Sequence, residues 1–111
     1  MQRLHFIGDS VLVPDDVCNA VMRLARALAD QHVSDVVRVP IVDEAGTLTQ
    51  AELLLGPASQ LFATPAGDVT EIEVSQDLVA EINRRTAKLE ISHGRPEASA
   101  RVSPLRDEFD E

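Results

Sequence analysis

Apolar and polar residues alternate over residues 3–7, and an apolar run resumes at Val11-Leu12-Val13 after Gly8-Asp9-Ser10. A period of two marks a half-buried strand. Gly accepts positive φ, and Asp and Ser side chains bond to nearby backbone, so all three favour turns. Residues 3–13 are therefore predicted to form a β-hairpin turning at Gly8-Asp9-Ser10. The period then changes. Val17, Val21, Leu24 and Leu28 recur at spacings of four, three and four, and Cys18, Met22 and Ala25 widen the stripe. This is one face of a helix. Pro14-Asp15-Asp16 suits its start, because proline fits the first turn and carboxylates offset the helix dipole there. Its end is expected between Asp30 and His32.

A β-branched run, Val36 to Val42, meets the polar turn Asp43-Glu44-Ala45-Gly46, and a second run covers Thr47 to Leu55. The pattern predicts a hairpin with a four-residue loop. Pro40 lacks an N–H, so its strand belongs at an edge, or with that position facing away from a neighbour. Gly56-Pro57 breaks the run. "SQLFAT" is a candidate short strand and Pro65-Ala66-Gly67-Asp68 a turn. In "VTEIEVS", Thr70, Ile72 and Val74 alternate with Glu71 and Glu73, which predicts one more strand. Ser75 is a plausible N-cap for a second helix with Val79, Ile82, Thr86 and Leu89 on its face and Gly94 as its C-cap.

The expected fold is α+β: a mostly antiparallel sheet of about four to six short strands with two amphipathic helices, in the order β-β-α-β-β-β-β-α. Residues 1–94 form a single domain. Residues 95–111, with two prolines and an acidic end, are expected to be a flexible tail. A chain of 111 residues suits one small core. That core must be aliphatic, since there are three Phe and neither Tyr nor Trp.

Charge narrows the partners. The net charge of −9 opposes nucleic acid and anionic lipid, so neither is expected as a ligand. The excess of Arg over Lys, with abundant Ala and Val, fits a GC-rich bacterial genome. One cysteine makes no intramolecular disulfide. No apolar stretch resembles a signal peptide or a membrane span. A cytoplasmic location and no membrane association are expected.

Candidate chemistry centres on Ser10. The strand followed by Gly8-Asp9-Ser10, over Phe6 to Leu12, resembles the first block of the GDSL (SGNH) hydrolases. The resemblance implies Ser10 as an acyl-transfer nucleophile whose backbone N–H helps form the oxyanion hole. A serine needs a base and an orienting group beside it. The family's Asp-x-x-His pair corresponds here to Glu90 and His93, with Glu in place of Asp. The family's Gly and Asn donors find no match, and its parallel sheet needs a much longer chain. Asp9 and His93 (or His5) complete the candidate set for a small hydrolase or ligand-binding protein.

Other residues read more plainly. His5, His32 and His93 fall on separate elements without metal-ligand spacing, so neither a metal nor a cofactor is expected. Cys18 joins an apolar stripe beside Asp15 and Asp16, which predicts a buried, unreactive thiol. Gly56-Pro57-Ala58-Ser59 lacks the glycines and lysine of a phosphate loop and reads as a bend. In "RDEFDE", Phe109 amid carboxylates is a candidate docking residue. The apolar hairpin, through Val37, Val39, Ile41, Leu53 and Leu55, is expected to supply an interaction surface for a homodimer or another protein. A non-enzymatic interaction module is thus the principal expectation, and a small enzyme using Ser10 the alternative.

Overall fold

Gly8 takes a left-handed φ of 74°, which lets the chain reverse in two residues. In the computed structural model the turn is therefore Ile7-Gly8, closing on the pair Phe6–Asp9. Strands β1 (Gln2–Phe6) and β2 (Asp9–Val13) run antiparallel on either side. The turn is tighter than the expected Gly8-Asp9-Ser10, and Asp9 and Ser10 are strand residues. The structure describes residues 1–67 and 69–92; His93, Gly94 and the whole of the expected tail, with Phe109, lie outside them.

Helix α1 (Asp15–Gln31) buries Val17, Cys18, Ala20, Val21, Leu24, Ala27 and Leu28. It ends where His32 turns left-handed at φ 59°. There the His32 N–H donates to the Ala29 carbonyl at 3.2 Å and the Val33 N–H to the Leu28 carbonyl at 3.1 Å. Glycine is the usual residue at that point of such a cap. An L-residue is disfavoured there by roughly 1–2 kcal/mol, part of which the extra unfolded-state entropy of glycine cancels. His32→Gly is expected to stabilise the fold by about 1 kcal/mol, raising the thermal midpoint in circular dichroism by roughly 4 °C.

Strands β3 (Asp35–Val42) and β4 (Leu48–Leu55) form the second hairpin in full register, from Asp35↔Leu55 to Val42↔Leu48. The Asp43 carboxylate shapes its turn by accepting the N–H groups of Ala45 at 3.0 Å and Thr47 at 2.9 Å. Strand β5 (Phe62–Pro65) returns beside β1. The sheet is wholly antiparallel, in the order β4-β3-β2-β1-β5. Its centre is lightly stitched, since β2 and β3 pair at Leu12↔Val42 alone.

One face of the sheet carries Leu4, Val13, Val37, Val39, Ile41 and Leu55, and these form the core with Val17, Val21, Leu24 and Leu28 of α1. Helix α2 (Gln76–Ser92) packs along α1 and adds Ile82 to that core, with Val79 and Leu89 partly buried beside it. The Ser75 hydroxyl caps it by accepting the Asp77 N–H at 3.1 Å. Arg85 ties α2 to the start of β3, donating to Asp35 at 3.2 Å and to the Val36 carbonyl at 3.0 Å.

The strand expected in "VTEIEVS" does not form, so the order is β-β-α-β-β-β-α. Residues 69–75 stay outside the sheet. Their alternation serves another purpose. The Glu71 carboxylate bonds the Met1 ammonium and accepts the Asp15 N–H at 3.0 Å, while Ile72 and Val74 are half-buried. Asp15 also pairs with that ammonium at 3.0 Å. Glu71 first, then Asp15, holds the ammonium pKa above its ordinary value.

Candidate functional site

Ser10 lies on the outer face of the sheet, directly across from His5. It borders a cleft of about 320 Å³ that is also lined by Arg3, Asp9, Leu12, Val42, Asp43 and Glu44. The Ser10 hydroxyl accepts a long bond of 3.4 Å from Arg3, a donor with no capacity to take a proton from it. The Ser10 backbone N–H is engaged as well, donating to the Asp9 carboxylate at 2.7 Å. An N–H held by a carboxylate is a poor oxyanion donor. His5 faces elsewhere. Its Nε2 lies 3.0 Å from the Thr64 hydroxyl, and its ring stacks on Phe62 with centroids 4.3 Å apart. Among the described residues, then, Ser10, Asp9 and His5 are brought together without a base on the serine. Likewise among the described residues, no three of His, Cys, Asp and Glu are grouped as a metal site would require.

Cys18 is fully buried in the core. Burial first, and the Asp15 charge second, push its thiol pKa up, away from the thiolate that reacts. The native protein is expected to resist thiol-specific reagents, and labelling is expected to appear only as denaturant unfolds it. Labelling at the native-state rate of a free thiol would show that the core is open at Cys18.

The hairpin residues expected to form a contact surface are corrected by the register. Val37, Val39, Ile41 and Leu55 are at most 7% exposed, and Leu53 is half-buried on the same side. Successive side chains of a strand point to opposite faces, so the hairpin presents its other set outward. These are Val36, Leu48 and Leu54, of which Leu54 is 69% exposed. The run Leu53-Leu54-Leu55 hides the alternation that separates the faces, and only Leu55 anchors it.

Backbone hydrogen bonds follow the same alternation. The Asp43 N–H donates to the Thr47 carbonyl at 3.0 Å. In an antiparallel ladder this fixes which residues bond across the pair: Val37, Val39 and Ile41 bond to β4, while Arg38, Pro40 and Val42 face away from it. Pro40 therefore sits where its missing N–H costs the β3–β4 ladder nothing. On β4 the backbone groups of Leu48, Gln50, Glu52 and Leu54 point to the open edge. The Ser59 hydroxyl donates to the Leu54 carbonyl at 3.1 Å, closing one end of that edge.

The opposite edge is different. The Ala66 N–H donates to the Met1 carbonyl at 3.2 Å, so Thr64 and Phe62 bond to β1, and Ala63 and Pro65 face outward. Pro65 has no N–H, which leaves β5 a single outward donor. Short length and proline are common guards of an edge strand. β4 has eight residues and one charge, Glu52, which Arg38 already pairs at 2.7 Å. Beside this edge lies a hollow of about 310 Å³, lined by Phe6, Val11, Leu61 and the β4 residues Ala51 to Leu55.

Comparison with protein-family profiles, with curated proteins and with solved structures finds nothing that matches the chain. Among the described residues no helix is long and apolar enough to cross a membrane.

Proposed function

We propose that the chain is a non-catalytic interaction module that pairs with a protein strand along β4. The observation that carries this reading is the contrast between the two sheet edges. One is short and ends on proline, and the other is long, nearly uncharged and open except at the Leu54 carbonyl, which Ser59 bonds. Strand addition to such an edge draws affinity from main-chain hydrogen bonds and specificity from alternate side chains. The alternate side chains here are Leu48, Gln50, Glu52 and Leu54. The net charge of −9 disfavours nucleic acid and anionic lipid as partners and leaves a protein surface. The reading places the chain in the cytoplasm, where its lone thiol needs no disulfide partner.

Native mass spectrometry of the protein isolated from its own host tests this. The expected result is the added mass of a protein chain, of the same or another sequence, that disappears in Gln50→Pro. That substitution removes one outward N–H and leaves the β3–β4 bonds in place. A small-molecule mass that disappears in Ser10→Ala would overturn the reading in favour of ligand binding or hydrolysis at Gly8-Asp9-Ser10.

A further inference from the structure

We infer that the strand received by β4 is β4 of a second copy, antiparallel, about a two-fold axis through Ala51. The inference rests on the edge reading above and adds the partner and the register. Only registers that set outward-facing positions against outward-facing positions make a ladder, so Leu48, Gln50, Glu52 and Leu54 must meet their own kind.

Three such registers pair at least three of the four outward positions. An axis at Gln50 sets Leu48 against the partner's Glu52, an apolar side chain against a carboxylate. An axis at Glu52 sets two carboxylates face to face, and like charges directly opposite are destabilising. An axis at Ala51 sets Leu48 against the partner's Leu54 and Gln50 against the partner's Glu52, each twice. Every outward position then has a suitable partner. The leucines that are 53% and 69% exposed in one copy cover each other on the outer face. On the inner face Ala51 meets the partner's Ala51, and Leu53 meets the partner's Thr49. The Leu54 carbonyl accepts the Ser59 hydroxyl with one lone pair and retains the other for the ladder.

Charge fits this register as well. A net charge of −9 opposes self-association, but the Arg38–Glu52 pair leaves the edge itself without net charge. The two five-stranded sheets would join into one, with the helices of both copies on the same side.

Sedimentation velocity of the full chain over a concentration series is the first measurement, with a monomer–dimer equilibrium expected. Gln50→Pro and Leu54→Glu are each expected to remove the dimer without changing the far-UV circular dichroism. The register has its own test. Residues opposite each other in a non-hydrogen-bonded pair have Cα atoms about 4.5 Å apart, within disulfide reach. Oxidised Ala51→Cys is therefore expected to run as a covalent dimer. Thr49→Cys is expected to remain uncrosslinked, because its counterpart lies four residues along the strand, about 13 Å away. Unmodified protein, with Cys18 buried, is the control.

A dimer that persists in both edge variants, or crosslinks through Thr49→Cys and not Ala51→Cys, overturns the inference. So does a monomer at every concentration. In that last case a foreign protein lost in Gln50→Pro retains the edge reading, and the absence of any edge-dependent partner removes both.

Discussion

Val39→Asp is expected to abolish cooperative folding. Val39 is fully buried between α1 and the sheet, and its backbone bonds to β4. The substitution removes the burial of a Val side chain, worth about 1.5–3 kcal/mol. It also places a carboxyl where no described donor waits for it, and an uncompensated buried charge costs about 3–5 kcal/mol more. Together these approach the whole stability of a domain this size, about 5–15 kcal/mol. Without Tyr or Trp the chain offers little fluorescence, so far-UV circular dichroism and amide proton dispersion are the readouts. Val36→Asp is the contrast. Val36 lies on the same strand but is 49% exposed on the outer face, and a surface change of this kind is expected to cost about 0.5 kcal/mol or less. Equal effects at the two positions would show that the strand register is not the one described.

Ile82→Ala is expected to cost about 3 kcal/mol, as truncations of fully buried Ile do. The loss should also be uneven. Ile82 is the one apolar residue of α2 that is fully buried among those described, and the helix packs chiefly on α1. A helix held through one side opens at lower free energy than the elements it covers. Amide exchange in α2 is thus expected to accelerate before exchange in β1 or β3. The Arg85 bonds to Asp35 and Val36 remain in the variant, so it weakens the docking without removing the strap to β3. Exchange that accelerates uniformly across the chain would show that α2 and the sheet unfold as one unit.

Both helices and all five strands were legible in the residue pattern, which also offered a sixth strand that does not form. Spacings of three and four in α1 have no competing reading, and the Asp43–Gly46 turn separates two β runs cleanly. Residues 69–75 show where the pattern misleads. Alternation reports that two sides of the chain meet different surroundings, and a strand is one way to achieve that. Here Glu71 reaches Met1 and Asp15 while Ile72 and Val74 turn partly inward, with no ladder. The candidate surface was legible as a hairpin but not as a face, because Val36-Val37 and Leu53-Leu54-Leu55 are apolar on both sides. Which backbone groups point outward depends on the hydrogen-bond phase set at Asp43 and Thr47, a property no composition or spacing carries. At Ser10 the local motif was visible, but its Arg3 partner and the diversion of His5 to Thr64 arise only when three strands assemble.

The pairing of β1 with β5 has a consequence in time. β1 meets β2 across two residues, but Gln2 meets Pro65 only after the intervening chain has folded back. Closing a loop of about 60 residues costs roughly 3–4 kcal/mol in chain entropy, so this ladder is expected to form late in refolding. On the ribosome the delay is enforced. At about 5–20 residues per second, roughly 3–10 s pass between the synthesis of Val13 and that of Pro65. For that interval β1 is itself an exposed edge, without the short proline-ended strand that later guards it. The nascent chain is open to wrong pairing on the side that is best protected in the finished protein.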